Sequence, residues 1–216
     1  MLTDVWPLFG LVLRTPRLEL RLPSLEQLAV LGELAAEGIH DPAVMPFQTP
    51  WTDLPPDERA RSVLQWSWRI WAEHTPQRWS LNFCVLADGE VVGTQDLGGN
   101  DFAVTREVNS GSWLGRKHHG RGIGTEMRAA VLHLGFAGLG AETALSGAHT
   151  DNAASLGVSR KLGYVPDGLG RQAVRGRLEV EQRLRLDRAT WAATRTVPVT
   201  IEGLEPCRPL LGVATG

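Results

Sequence analysis

The run Arg116-Lys117-His118-His119-Gly120-Arg121-Gly122-Ile123-Gly124-Thr125 sets three glycines at alternate positions among basic side chains. It separates an apolar segment ending at Leu114 from a helical repeat beginning at Ile123. Glycines at such a junction let the backbone come close to a ligand, and the free N–H groups of the first helical turn point outward. Together with the positive end of the helix dipole and the charges of Arg116, Lys117 and Arg121, those donors suit a phosphate or pyrophosphate. A tight turn carrying solvated cations is the bland alternative. No Gly-Lys-Ser/Thr follows, so this is not a P-loop. A dinucleotide fingerprint needs the loop after the first strand of a β-α-β unit, with an acid about 20 residues on. Glu142 satisfies that spacing, but the elements upstream do not fit.

A second motif, Asp151-Asn152-Ala153-Ala154-Ser155, opens a helix that closes on Arg160-Lys161-Leu162-Gly163-Tyr164. Asp or Asn in that place is ordinarily an N-cap. The adjacent His118-His119 pair lacks the spacing of a shared metal site and has no thiolate or carboxylate set around it. No metal is expected.

The elements that must position these motifs are readable from periodicity. Leu18 to Leu22 alternates as a strand. Ser24 caps a helix carrying Leu25, Leu28, Leu31 and Leu34, which Gly38 closes. Ile39 to Pro56 holds five prolines and reads as a long loop whose Met45, Phe47 and Trp51 pack on something. Asp57 to His74 reads as a helix with two stripes: Val63, Trp66 and Ile70, then Leu64, Trp68 and Trp71. Leu81–Leu86 and Val91–Leu97 flank the hairpin turn Asp88-Gly89, and Gly98-Gly99-Asn100 is expected to break the second strand. Val108 to Leu114 gives a further strand, Ile123 to Gly138 a helix, Thr143 to Ala148 a strand, and Asn152 to Leu162 a helix with Gly163 as its C′ residue. A last strand or hairpin lies between Arg177 and Leu186. After Trp191, Val199-Thr200-Ile201 can extend a sheet edge or pair with a neighbouring subunit. Eight tryptophans stand against one tyrosine, five of them between Trp51 and Trp79. Core packing explains them more simply than an apolar substrate groove.

With both motifs in this order, the sequence resembles the GNAT superfamily of N-acyltransferases. Gly120-Arg121-Gly122-Ile123-Gly124-Thr125 is similar to its pyrophosphate loop, and Asn152-Ala153-Ala154-Ser155 through Lys161-Leu162-Gly163-Tyr164 to its second coenzyme A motif. Arg14-Thr15-Pro16-Arg17-Leu18-Glu19-Leu20-Arg21 resembles the branch that acylates ribosomal-protein N-termini. Met45-Pro46-Phe47 and Cys207-Arg208-Pro209-Leu210 are similar to a sub-branch with a succinyl-CoA-dependent member. The resemblance implies an α+β fold, with a mixed, mostly antiparallel sheet of six to seven strands and helices on both faces. It implies one acyltransferase domain over residues 1–190, and a tail over 191–216 that packs on that domain or on a neighbouring subunit.

The same resemblance implies roles for single residues. Amides from His119 to Thr125 would hold the pyrophosphate, although the family usually has Gln or Arg where His119 stands. Arg116 would add charge. Trp113, Leu114 and Gly115 would pair with the pantetheine, and an amide near Leu114 would polarise the thioester carbonyl. Asn152 would bond the pantetheine arm, and Ser155 would sit near the diphosphate or sulfur. Direct attack of an amine on acetyl-CoA or succinyl-CoA needs a base and an acid. Members of the branch often carry a carboxylate where this chain has Asn109, so Glu107, two residues earlier on the same face, is the first candidate base. Asp96, Asp101 and a water chain to His149 are weaker ones. The superfamily's tyrosine acid falls at Ser159, which with Ser155 would have to protonate the thiolate. The acceptor would lie against the first two helices, near His40 and His74, and would be a peptide N-terminus, a lysine or a small amine. Asn109 and Ser159 also motivate a rival reading, a non-catalytic acyl-CoA-binding or sensor protein.

Composition narrows the rest. With 22 basic and 24 acidic residues the net charge is −2, which gives no field for nucleic acid or an anionic membrane. Cys84 and Cys207 lack a metal or redox spacing. The start has no basic leader and no stretch approaches a membrane span. A cytoplasmic protein is expected, with a homo-oligomer suggested by the tail strand and the apolar loop.

Overall fold

The computed structural model describes residues 1–214. Their helices are α1 (Leu2–Val5), α2 (Leu25–Glu37), α3 (Pro56–Ala72), α4 (Phe102–Thr105), α5 (Ile123–His133), α6 (Ala153–Lys161) and α7 (Arg188–Thr194). The strands are β1 (Val12–Arg14), β2 (Leu18–Arg21), β3 (Arg78–Ala87), β4 (Glu90–Asn100), β5 (Glu107–Asn109), β6 (Ser112–Leu114), β7 (Thr143–His149), β8 (Val165–Val174), β9 (Arg177–Asp187) and β10 (Thr200–Glu202). They form one sheet in the order β10-β1-β2-β3-β4-β5-β7-β9-β8, with β6 also on β4. Only β5–β7 is parallel; the other pairs run antiparallel. The α+β class and mostly antiparallel sheet are those expected. The strand number is larger than the six to seven expected, for local reasons. β8 carries Pro166, Gly168 and Gly170, which hide its alternation. β10 from the tail pairs with β1, so Val199-Thr200-Ile201 extends this chain's own sheet edge.

Each face of the sheet buries its own core. On one side, Leu20, Leu81, Phe83, Leu97, Val108 and Ala144 pack beneath Met127, Val131 and Leu134 of α5 and its extension. On the other, Cys84, Leu86 and Val91 pack beneath Leu28, Leu31 and Val63 of α2 and α3. Ser24 and Gln27 close a capping box on α2, and Gly38 ends it at φ +101°. The tail is sewn in, with Cys207 and Leu211 fully buried. No helix among the described residues is long and apolar enough to cross a membrane.

Two details differ from the sequence expectation. Gly98-Gly99-Asn100 does not interrupt its strand; β4 runs through Asn100 opposite Arg78. The Trp79 indole lies 2.6 Å from where a Gly99 Cβ would stand, and the Asn109 amide 2.9 Å from that of Gly98. The glycines are therefore needed for close cover by neighbours rather than for a turn. On α3 the buried line is Val63 and Ser67, while Trp66 (52%) and Trp68 (47%) lie open. The two helices approach most closely at a small pair, a Gly32 Cβ position lying only 3.2 Å from the Ala60 carbonyl, with Leu28, Leu31, Val63 and Leu64 packed around it. There is no room for an indole between helices that close.

Gly93 is equally constrained. A Cβ there would meet the Trp113 carbonyl oxygen at 2.2 Å and Leu114 Cα at 2.8 Å, both backbone atoms of the paired strand. Gly93→Ala is expected to push β6 off β4 and cost about 1–3 kcal/mol. Thermal unfolding checks this: an unchanged melting temperature would contradict the close approach.

Candidate active site

Strand divergence opens the site. β5 pairs in parallel with β7 only at Glu107↔Thr143, Val108↔Ala144 and Asn109↔Leu145. Beyond Asn109 the two strands separate, while β5 and β6 keep one register on β4, with Gly98 facing Asn109 and Gly93 facing Leu114. A cleft of about 240 Å³ occupies the divergence, lined by Asn109, Ser110, Ser146, Asp167, Glu181 and Arg183 among others.

At one mouth of the divergence sits the glycine loop. After a 3-10 turn at Arg116–His118, Gly120 (φ +74°) and Gly122 (φ +79°) take left-handed conformations that turn the chain into α5. The backbone N–H groups of Arg121, Gly122 and Ile123 find no acceptor among the described residues. Thr125 and Glu126 N–H return to the Gly122 carbonyl. The loop is held from behind: Glu126 accepts from Arg17 Nε at 2.6 Å and Thr15 Oγ1 at 2.6 Å, and Arg17 Nη1 donates to the Arg121 carbonyl at 3.0 Å. Lys117 pairs with Glu90 at 3.2 Å. The His119 imidazole turns back and donates from Nε2 to the Leu114 carbonyl at 3.0 Å. It therefore braces the strand end, while the amides ahead of it stay free.

The second motif meets the first. A Gly124 Cβ would lie 3.8 Å from Val158 of α6 and 3.9 Å from Leu114 of β6, so loop, strand and helix converge there. Asn152 caps α6, its Oδ1 accepting from Ser155 N at 3.1 Å, which leaves its amide NH₂ free. Ser159 lies on the far side of α6, 1% exposed, accepting from Arg128 Nη1 at 2.9 Å.

The opposite face of the sheet carries the carboxylates. Glu107 is half-buried and paired with Arg185 at 3.4 Å; Arg185 also holds Asp167 at 3.2 Å. Asp96 faces Asn82 across β3–β4 and accepts from Ser80 Oγ at 2.9 Å. Its other oxygen takes no hydrogen bond from the described residues. Burial pushes the Asp96 carboxyl up to about 7, against the Ser80 hydrogen bond, which pulls it down. Glu181 lies against Gly147, its oxygens receiving Gln48 Nε2 at 2.9 Å and Gln172 Nε2 at 3.0 Å. The proline loop crosses this face as a strap. His149 Nδ1 bonds the Met45 carbonyl at 2.9 Å, Arg175 Nε bonds Asp53 at 2.8 Å, and Phe47, Trp51 and Trp113 pack in series as tilted rings. His40 bonds Thr52 within the strap, whereas His74 bonds the Leu210 carbonyl in the tail, away from it.

The structure thus brings the glycine loop, Leu114 and α6 to one place, and Glu107 and Asn109 to the cleft side of the sheet. Sequence reasoning did not single out Glu126, Arg128, Glu181 or Asp167. Glu126 was legible as an acid in the first turn of a helix; the others needed the long-range pairing of β7, β8 and β9.

A family model described as an acetyltransferase (GNAT) domain matches residues 17–165. Among solved structures, RimJ of Mycobacterium smegmatis in complex with CoA-disulfide superposes with a TM-score of 0.69 at 21% identity, over 85% of this chain and 90% of that one. A GCN5-related N-acetyltransferase from Brucella melitensis gives a TM-score of 0.66 at 18% identity, over 85% and 81%. RimL, a ribosomal L7/L12 alpha-N-protein acetyltransferase in complex with coenzyme A, gives 0.60 at 17% identity, over 80% and 95%. At these identities the structures speak for the fold.

Proposed function

The chain belongs to the GNAT acetyltransferase family, and from that premise we propose that it transfers an acyl group from coenzyme A to an α-amino group by direct attack on the thioester. One observation carries the reading: unpartnered loop amides at a helix start open onto two diverging strands, with carboxylates on the far face. The pyrophosphate would lie on the free amides of Arg121, Gly122 and Ile123, within the His119 to Thr125 run, with Arg116 and Arg121 beside it. The pantetheine would run along Trp113, Leu114 and Gly115, bonded by the Asn152 amide and passing Ser155. The thioester then enters the divergence beside Ser110, and the amine approaches from the strap side across Asn109.

On that side Asp96 suits the base better than Glu107. A base near 7 is well matched to an α-amino group, with a pKa of about 7.7–8.0, and poorly matched to a lysine at about 10.4. Glu107 is already tied to Arg185. The strap and the small cleft admit a single terminal residue more readily than a folded surface, which again favours a peptide N-terminus or a small amine.

Acetyl is the family's usual group. A succinyl donor would add a carboxylate, and Arg183, which lines the cleft and has no ion pair among the described residues, is the cation to meet it. Calorimetric titration with acetyl-CoA, succinyl-CoA and free coenzyme A, followed by turnover with N-terminal peptides and lysine analogues, tests the whole reading. We expect micromolar binding of one acyl form and turnover of α-amines. Binding without turnover of any amine would favour a sensor, and no binding would reduce the loop to a structural turn.

A further inference from the structure

The cleft holds a carboxylate that acyl transfer itself leaves unused. Glu181 of β9 shares a sheet face with Asn109, Leu145 and Gly147, as the alternation through β5, β7 and β9 requires. Glycines on both neighbouring strands make room for it. A side chain on Gly147 would collide with Glu181 Oε1, and a Gly170 Cβ would stand 3.4 Å from Oε2. Its side-chain hydrogen bonds come only from neutral amides: Gln48 Nε2 of the strap at 2.9 Å and Gln172 Nε2 of β8 at 3.0 Å. Among the described residues no cation pairs with it. Arg183, two residues along β9, lies against the β8 bulge instead, its Nη2 2.7 Å from a Gly168 Cβ position.

A second unmet acceptor stands beside it. His149 is the cross-strand partner of Glu181 and is 2% exposed. Its Nδ1 bonds the Met45 carbonyl, which can only accept, so that nitrogen carries the ring hydrogen. Nε2 of the neutral ring is then a bare lone pair, buried without a partner. Buried polar atoms are nearly always paired. Glu181 has capacity to spare as well, since a carboxylate offers about four lone-pair sites and its two amide donors leave the others open. An anionic and a neutral acceptor on one face, with no cation between them, suit a positive group rich in N–H donors.

We propose that Glu181 and His149 form a subsite for a cationic side chain on the acceptor, so that the protein acylates the α-amino group of a basic residue. This rests on the function proposed above and extends it from the kind of amine to the side chain beside it. The spacing fits. Asn109 stands level with Leu145, and the Glu181 carboxylate lies over Gly147, two residues further along β7. At about 3.3 Å per residue the carboxylate is roughly 7 Å from where the amine would cross Asn109. An extended lysine side chain carries its ammonium about that far from its α-nitrogen. A peptide opening on a basic residue and a free basic amino acid both present this pair of groups.

The test gives wild-type protein the acyl donor selected by titration and pairs of α-amines that differ in charge alone. One pair is a peptide opening on lysine against the same peptide opening on norleucine; the other is free lysine against free norleucine. Charge-assisted hydrogen bonds to Glu181 predict a kcat/KM preference for lysine on the order of tenfold or more, carried mainly by KM. Mass spectrometry should find the acyl group on the α-nitrogen. A preference confined to the peptide pair would identify a peptide N-terminus as the acceptor, and one confined to the free pair a small amine. Glu181→Gln keeps the side chain's shape and should shrink the preference to within about twofold, with coenzyme A affinity unchanged. If Glu181 only tethers the strap, both members of a pair lose activity together and their ratio stays, which would overturn the subsite. Equal wild-type rates on lysine and norleucine, or acylation of the side-chain nitrogen, would overturn it too while leaving acyl transfer intact. No turnover of any α-amine would overturn the function on which it rests, and the subsite with it.

Discussion

Gly120→Val combined with Gly122→Val is expected to abolish measurable coenzyme A binding while the chain stays folded. Both glycines sit at positive φ, +74° and +79°, where a β-branched residue is excluded by its own backbone. The loop would have to move to relieve that strain, and the unpartnered N–H groups of Arg121, Gly122 and Ile123 would no longer converge. Hydrogen bonds to a charged group contribute about 1.5–3 kcal/mol each, so losing two predicts an affinity loss on the order of 10²–10⁴-fold. The fold should survive because the loop is exposed and nothing lies within 4 Å of a Gly120 Cβ position. Gly124→Ala is the control. Its Cβ would meet Val158 and Leu114 at ordinary contact distances of 3.8 and 3.9 Å, so binding should persist within a few-fold. Calorimetry on all three proteins checks the set. Wild-type affinity in the double variant would mean that the coenzyme binds elsewhere.

The glycine loop and the Asn-x-x-Ser helix start, which the proposed reading gives to the coenzyme, were legible because each is local. Glycines at a strand–helix junction and an Asn-x-x-Ser helix start each lie within one stretch of chain, and the structure needs only α5 and α6 to bring them together. The hairpin at Asp88-Gly89, the caps at Ser24 and Gly163, and the helices between them follow from the same short-range rules. The face proposed for the acceptor is assembled otherwise. Glu181 reaches Gly147 from β9, Gln48 reaches Glu181 from the strap, and Arg128 meets Ser159 across two helices. No spacing along the chain encodes such meetings. β8 was hidden because proline and glycine blur its period, and Gly98-Gly99 misled because strand glycines covered by Trp79 and Asn109 look like turn glycines in one dimension. Trp66 and Trp68 are the reverse case: their helical spacing suggests a buried stripe, but the face of α3 turned to the core is that of Val63, Leu64 and Trp71.

Asp96→Asn should cost activity most among single changes on the acceptor face, and should do so through the pH profile. A base must be unprotonated to accept the amine's proton, so with Asp96 near 7 the wild-type kcat/KM is expected to rise with pH through about 7 before levelling. Asparagine offers no proton site. The variant should fall on the order of 10²–10³-fold at neutral pH and lose that limb, keeping only the slope set by the amine itself. Stability gives an independent reading of the same group. Because burial raises the carboxyl, the folded chain holds this proton more tightly than the unfolded chain between the ordinary aspartate value and about 7. Asp96 therefore favours folding at acid pH and loses that contribution as pH climbs through the window. Asp96→Asn should then melt higher than wild type above pH of about 7, and lose that advantage below about 4. Glu107→Gln separates the rival base. It removes one arm of the Arg185 pairing, yet Asp167 remains to hold the guanidinium, so kcat/KM should drop only a few-fold with its pH limb in place. The reverse pattern, a lost limb in Glu107→Gln and an intact one in Asp96→Asn, would move the base to the strand's first residue. The two carboxylates differ in kind: one is paired and partly in water, the other desolvated with a single hydroxyl donor, and only the second is poised to exchange a proton with an amine near neutrality.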